Sequence, residues 1–220
     1  EAILVQVQVL LWKNLQEVRM SKSIYIYGAS GHGLVVADVA KSCGYEDIVF
    51  LDDDKSKGFL TFDDIKENRD YHIAFGIGNN QIREKLYKKV KENGFSIPTL
   101  IHPSSIISSS AIIEEGTVVM PNVVVNAKAY IGKCVILNSS CVVEHESIIG
   151  DFVHISPKVS IAGDVRIGDF THIGIGSSVI QCLEIGKNSI IGAGSVVVKN
   201  IVDFKKAYGN PCKEIGNIDE

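Results

Sequence analysis

From Ser105 to Asn200 the chain divides into sixteen consecutive hexads, SIISSS through SVVVKN, and every one carries Ile, Val or Leu at its third position. A period of six is neither the 3.6 of an α-helix nor the simple alternation of a hairpin strand. First positions are small or β-branched nearly throughout, and glycine recurs at the fourth. Repeats of this length predict a parallel β-helix, in which each hexad is a short strand plus a turn. Each can bury its aliphatic residue only against the repeats above and below. Third-position residues such as Val143, Ile149, Ile155, Ile161 and Ile167 then form the interior, and second and fifth positions face outward. No helix is expected in this half.

The stretch before residue 100 has a different grammar. Strand-like runs at 24–28, 47–54 and 72–79 alternate with helical patterns at 34–44 and 80–94, the latter closed by Gly94. That order predicts βαβ units and a parallel, Rossmann-like α/β sheet. Between the first strand and the first helix lies Gly28-Ala29-Ser30-Gly31-His32-Gly33. Glycines there let backbone N–H groups and a helix N-terminus approach a phosphate. The spacing is G-x-x-G-x-G, whereas the dinucleotide fingerprint is G-x-G-x-x-G. Asp52 and Asp53 end the second strand, where a ribose or base partner is expected. The alternative is that the three glycines only make a tight strand-to-helix turn.

Composition excludes several classes. A formal net charge of −4 with no sustained basic run argues against a nucleic-acid partner. The five cysteines, Cys43, Cys134, Cys141, Cys182 and Cys212, are scattered and form no C-x-x-C pair, as expected of reduced thiols in a cytoplasmic protein. Residues 1–19 hold an apolar run, Ala2 to Trp12, that is broken by Gln6 and Gln8 and is too short to span a bilayer. They are expected to be a non-native or flexible extension ahead of Met20, or else an amphipathic interaction segment, with no membrane insertion. The expected organisation is 1–19 extension, 20–100 Rossmann-like nucleotide-binding domain and 101–220 β-helix.

Within the repeats, the hexad CVVEHE places His145 at an outward fifth position between Glu144 and Glu146. An imidazole with an ordinary pKa near 6.5 suits proton removal at neutral pH, and an adjacent carboxylate can orient it. Either glutamate qualifies, and a solvated histidine with solvated glutamates is the bland alternative. No activated nucleophile is visible, because Cys141 occupies a core-directed first position and no serine elbow is present. Direct attack by a substrate amine or hydroxyl is therefore the simpler chemistry.

Together "IYIYGASGHGLVVADVAK", "FLDD", "GIGNNQIR", "LIHPSSIIS", "VILNSSCVVEHE", "DFVHISPKVSIAGDVRIG" and "YGNPCKEI" resemble the bacterial UDP-amino-sugar acetyltransferases of the sialic acid O-acetyltransferase family. The likeness runs from about Lys22 to Ile215. It implies a left-handed, triangular β-helix of eighteen residues per coil, about five coils here, assembled as a homotrimer with active sites between subunits. It implies acetyl-CoA as co-substrate, no metal, and acetylation of the C4 amine of a UDP-4-amino-4,6-dideoxy-N-acetyl-hexosamine to UDP-N,N′-diacetylbacillosamine for protein glycosylation. The rival is an O- or N-acetyltransferase for a sialic acid or another nucleotide-linked amino sugar.

Carried onto these positions, the resemblance makes His145 the general base and Glu146 its orienting partner. Ser30, Gly31 and His32 would bind the diphosphate region, Asp52 and Asp53 the uridine end, and Gly76, Gly78 and Asn79 would close the pocket. Asn138 would lie near the sugar, His154 near the thioester, and Ile175 and Ala193 along the coenzyme channel. Gly209-Asn210-Pro211-Cys212-Lys213 departs from the family's G-x-P-A-K by a cysteine for alanine. His145 and His154 are nine residues apart, half a coil, so they are expected on different sides of one prism and to meet only across a subunit boundary. His172 is one coil above His154 and would extend a cleft wall or be an ordinary surface residue. A zinc set of His145, His154 and His172 is disfavoured by the half-coil offset and the lack of a nameable supporting shell.

Overall fold

Three parallel strands, β1 (Lys22–Tyr27), β2 (Tyr45–Leu51) and β3 (His72–Phe75), open the computed structural model in the order β2-β1-β3. The structure describes residues 22–218, so the predicted extension at 1–19 lies outside the described residues. Helix α1 (Gly31–Ser42) buries Gly33, Val36, Val39 and Ala40, a stripe at helical spacing that packs on the sheet. A four-residue helix, α2 (Phe62–Ile65), is held by a Thr61–Asp64 capping box. Helix α3 (Asn80–Glu92) begins where the Asn79 side chain accepts from the Ile82 amide at 2.9 Å. The strands and helices anticipated for this half are all present, and the sheet is parallel.

From β4 (Leu100–Ile101) to β20 (Val196–Val197) the chain forms seventeen two-residue strands in three parallel stacks. Through Ser178–Val179 each strand pairs with the one eighteen residues on, as Val143 does with Ile161. A strand at Leu100–Ile101 precedes the first hexad, so the left-handed β-helix has nearly six coils instead of five. Val143, Ile149, Ile155, Ile161 and Ile167 are at most 2% exposed and belong to one continuous aliphatic column. Among the described residues no helix is long and apolar enough to cross a membrane. An antiparallel hairpin, β21 (Lys205–Gly209) and β22 (Cys212–Asn217), closes the last coil.

The turn between strands has a requirement that the hexad pattern did not disclose. Every sixth position from Gly116 to Gly194 has positive φ, and eleven of those fourteen residues are not glycine. Such a residue costs roughly 1–2 kcal/mol each, offset by burial of an aliphatic side chain worth about 1.5–3 kcal/mol per repeat. Glu146, at φ 61°, is one of them.

The three faces of the prism differ sharply. One presents Leu100, Val118, Ile136, His154, His172 and Ile190, and its lower part lies under the N-terminal half: Leu100, Val118 and Ile136 share a core with Ile24, Ile26, Val36 and Val39. A second face presents Ile106, Val124, Val142, Ser160, Ser178 and Val196, with no charged residue among them. The third presents Ile112, Tyr130, Ile148, Arg166 and Glu184. These are called the docked, bare and charged faces.

Candidate active site

The glycine loop after β1 contains two kinds of glycine. A Cβ on Gly33 would lie 1.9 Å from the Gly28 carbonyl oxygen, and one on Gly76 would lie 2.6 Å from both that oxygen and the Gly33 Cα. Gly28, at φ 113°, Gly33 and Gly76 are thus required where the ends of β1 and β3 meet the first turn of α1. The tight-turn reading is correct for Gly28 and Gly33, and Gly76 is likewise accounted for by packing. Gly31 and Gly78 face open space. Beside them Ser30 occupies the N-cap of α1 without a side-chain bond to the helix, leaving its hydroxyl available.

Asp52 and Asp53 are engaged by the protein. Asp52 accepts from Lys57 Nζ at 2.7 Å and from the Ala29 amide at 3.2 Å, which ties it to the glycine loop. Asp53 accepts from Tyr27 Oη at 2.5 Å, Lys89 Nζ at 2.9 Å and the Phe62 amide at 3.0 Å. Burial works against ionisation of both carboxyls, but these donors hold their pKa values below the ordinary carboxylate range. Lys57 and Lys89 are cations at the base of this loop that the sequence reading did not single out.

Where the N-terminal half meets the docked face, Arg83 is 1% exposed and has no carboxylate partner among the described residues. Its guanidinium donates to Cys134 O at 2.7 Å, Phe152 O at 2.7 Å, Ile77 O at 3.0 Å and Asn80 Oδ1 at 2.9 Å. One side chain therefore joins the 76–79 loop to two coils of the β-helix. Burial lowers its pKa to about 10, so it stays charged at neutral pH. Asn80 adds a bond from Nδ2 to Phe170 O at 2.7 Å.

Against that fixed cation lies a row of three imidazoles. His154 stacks on His172, centroids 4.6 Å apart and planes 2° apart, and His32 lies 6.1 Å from His154. Burial first, then neighbouring cationic groups including Arg83, lower the pKa of His154 to about 3 and that of His32 to about 4; burial and Arg83 also lower that of His172. All three are neutral at physiological pH. Among the described residues, His32 Nε2 and His154 Nδ1 are buried ring nitrogens without a hydrogen-bond partner. Asn138 Nδ2 lies 3.4 Å from His154 Nε2, and Ser156 Oγ lies 2.9 Å from His172 Nε2. His172 is thus part of the wall and not a surface residue. A cavity of about 210 Å³ continues past it, lined by Gly78, Asn79, Asn80, Asn188 and Ile190. A larger depression, about 860 Å³, runs along Arg166, Glu184 and Lys187 on the charged face and contains none of the expected site residues.

The EHE motif sits elsewhere. It forms the turn between the bare-face strand Val142–Val143 and the charged-face strand Ile148–Ile149, the prism edge opposite the docked face. The expected separation of His145 from His154 within one chain is what the coil geometry produces. Because the motif is in a turn and Glu146 is left-handed, the alternation of a strand does not apply there. Glu146 Oε2 lies 3.4 Å from His145 Nδ1, whereas Glu144 Oε2 accepts from Asn126 Nδ2 at 2.8 Å. Of the two glutamates the structure pairs Glu146 with the ring. Lys128, one coil below, lies 3.5 Å from Glu146 Oε1.

Ile175 and Ala193 are one coil apart on the edge between docked and bare faces, joined through the Gly194 amide to the Ile175 carbonyl at 2.8 Å. Ile175 is 53% exposed. The closing hairpin reaches this edge: the Gly209 amide donates to Ser195 Oγ at 3.2 Å, and Cys212 is buried beneath it. The departure from the family tail therefore sits in a hairpin packed on the last coil. Cys141 is fully buried, and burial raises its thiol pKa to about 12, which excludes a thiolate nucleophile there.

Arg83, Lys89, Ser156 and the positive-φ turns escaped the sequence reading. Asn80, Arg83 and Val90 share the buried face of α3, so a charged residue in apolar phase was the available signal for Arg83.

Comparison with known proteins agrees with this arrangement. The model of the PglD N-terminal domain matches residues 23–90, and that of the bacterial transferase hexapeptide (six repeats) matches 164–199. The chain is 36% identical over 113 residues to the UDP-N-acetylbacillosamine N-acetyltransferase of Bacillus subtilis (strain 168); the match takes in 44% of this chain and 51% of that protein, so the chain spans about half the length of this curated relative. The acetyltransferase domain of PglB from Neisseria gonorrhoeae FA1090 superposes with a TM-score of 0.82 at 37% identity, covering 88% of this chain and 100% of that one. PerB from Caulobacter crescentus, solved with CoA and GDP-perosamine, superposes with a TM-score of 0.84 at 33% identity, covering 90% and 99%. By sequence, domain order and coil architecture, the chain belongs to the bacterial hexapeptide-repeat family of nucleotide-linked amino-sugar acetyltransferases.

Proposed function

We propose that the protein transfers the acetyl group of acetyl-CoA to the C4 amine of a UDP-4-amino-4,6-dideoxy-N-acetyl-hexosamine, giving UDP-N,N′-diacetylbacillosamine. The observation that carries this reading is the EHE turn, in which His145 Nδ1 is turned to Glu146 and Nε2 is left to accept a proton. The amine attacks the thioester carbonyl, its proton passes to His145 Nε2, backbone N–H groups stabilise the oxyanion, and the CoA thiolate departs. The likeness to the bacillosamine enzyme favours the uridine-linked sugar, and the PerB likeness makes a guanosine-linked one the second reading.

Residues 20–100 hold the nucleotide sugar, through Ser30, Gly31, His32, Gly78 and Asn79, with Asp52 and Asp53 toward the base and Gly76 packing the loop. Residues 101–220 carry the transfer chemistry: His154 and Asn138 near the acetyl group and sugar, and Ile175 and Ala193 along the coenzyme. Nothing in this chemistry needs a metal. A homotrimer is supported by the uncharged bare face, whose two edges bear His145 and the Ile175–Ala193 pair. Packing these faces about a threefold axis brings His145 of one prism toward the docked-face cleft of the next. Unpaired cysteines fit a reducing cytoplasm.

The test is thiol release from acetyl-CoA with UDP-4-amino-4,6-dideoxy-N-acetylglucosamine and, in parallel, GDP-perosamine, on wild type and His145→Ala. Turnover with the uridine sugar that falls about 10²–10⁴-fold in the variant is expected. Turnover with only the guanosine sugar moves the assignment to the second reading. Undiminished turnover by His145→Ala removes the base from the mechanism.

A further inference from the structure

The hexad column that contains His145 holds Ala127 one coil below, then Gly163 and Gln181 one and two coils above. Consecutive members are tied through the backbone, since the Asp164 amide donates to the His145 carbonyl at 2.9 Å and the Cys182 amide to that of Gly163 at 3.1 Å. A Cβ on Gly163 would lie 2.6 Å from His145 Cε1, 2.7 Å from Nε2 and 3.2 Å from Nδ1. The imidazole therefore lies against the Gly163 backbone, in space that any other residue would occupy.

Nothing else in the coil demands a glycine there. Gly163 has no positive φ, unlike Gly176 and Gly194 in the turns. Ala127 and Gln181 show that the column accepts side chains. Gly132, Gly150, Gly168 and Gly186 differ too, because a Cβ on each would meet backbone of the next coil at 2.9 Å or less. At Gly163 the three nearest obstacles are all atoms of one exposed ring that can move.

We infer that Gly163 is a positioning residue for the transfer reaction, its missing side chain forming the seat that fixes the His145 ring against Glu146. This rests on the reading of His145 as the base. A methyl at 163 would push the ring out by about 1 Å to restore an ordinary carbon contact of about 3.5–4.0 Å. The ring already stands 3.4 Å from Glu146, at the outer limit of a hydrogen bond, so the displacement separates the pair. A misplacement of that size is enough for about a 10²-fold loss.

The test is Gly163→Ala, with Gly216→Ala as control because a Cβ there meets nothing within 4 Å. Expected are a fall in kcat of about 10–100-fold, KM for both substrates within about twofold, an unchanged Tm and shifted ¹⁵N resonances of the His145 ring. The control changes none of these. Unmoved ring resonances, or moved resonances with kcat intact, overturn the inference. A double-mutant cycle with His145→Ala adds a second discriminator: Gly163→Ala should cost nothing further once the ring is gone. Loss of fold in both backgrounds would show that the coil needs the glycine and would also overturn it. If His145→Ala itself retains full turnover, the proposed base fails, whereas the ring resonances still report on the seat.

Discussion

The docked and bare faces of the β-helix are made by the same hexad and have opposite fates. Outward positions on the docked face run Leu100, Val118, Ile136, then His154 and His172; the first three are at most 2% exposed beneath the N-terminal sheet and α1. Outward positions on the bare face run Ile106, Val124, Val142, Ser160, Ser178 and Val196, and Ile106 is 68% exposed. One face has its cover within the chain, and the other is uncharged and has no cover among the described residues. The repeat therefore specifies only the inside of the prism, and the second position of each hexad specifies what the outside meets. Charge separates them further: the docked cleft combines a buried arginine with neutral imidazoles, whereas His145 and Glu146 are 60% and 53% exposed at the far edge.

Charging the bare face gives the largest expected effect. Val142→Lys should convert the proposed trimer to monomers in sedimentation velocity and reduce turnover by more than about 100-fold, because an unpaired charge in such an interface costs about 2–5 kcal/mol. The monomer's own unfolding should change by no more than about 0.5 kcal/mol, as for an ordinary surface substitution. An active trimeric variant would break the comparison by removing the bare face from the assembly.

Arg83→Met tests the docked face. Loss of the guanidinium leaves carbonyls from both halves without donors, and a cost of about 3–5 kcal/mol in urea unfolding is expected, as for broken buried charge networks. A cost below about 1 kcal/mol would assign the docking to apolar contacts alone.

A pH slope probes the docked cleft without any substitution. His32 and His154 have folded pKa values of about 4 and about 3 against an ordinary value of 6.5. As pH falls below about 6.5 the unfolded chain takes up protons that the folded chain refuses. Stability is therefore fully present above pH 6.5 and declines on acidification toward pH 4 and 3, by at most about 1.4 kcal/mol per pH unit for each histidine. Chemical denaturation between pH 7 and pH 4.5 should show this, and His32→Gln with His154→Asn should flatten it. An unchanged slope in that double variant would mean that these rings are not what acid attacks.

The sequence by itself determined the β-helix, its aliphatic column and the βαβ order of the first half; the eighteen-residue coil, and with it the half-coil offset between His145 and His154, was what the family resemblance implied. The first three follow from local periodicity, because a buried third position repeated every six residues fixes which side chains face inward. Tertiary structure decided the rest. It alone separated packing glycines such as Gly33 and Gly76 from open ones such as Gly31 and Gly78, since that depends on which backbone passes within 3 Å. It chose Glu146 over Glu144, because a left-handed residue in a turn cancels the alternation that a strand would impose. It turned His172 from a possible surface residue into part of a half-buried row and made Arg83 the joint between halves. Periodicity reports how a residue stands relative to its own element, whereas a site is made where two elements meet, and that meeting is fixed by contacts between residues tens of positions apart.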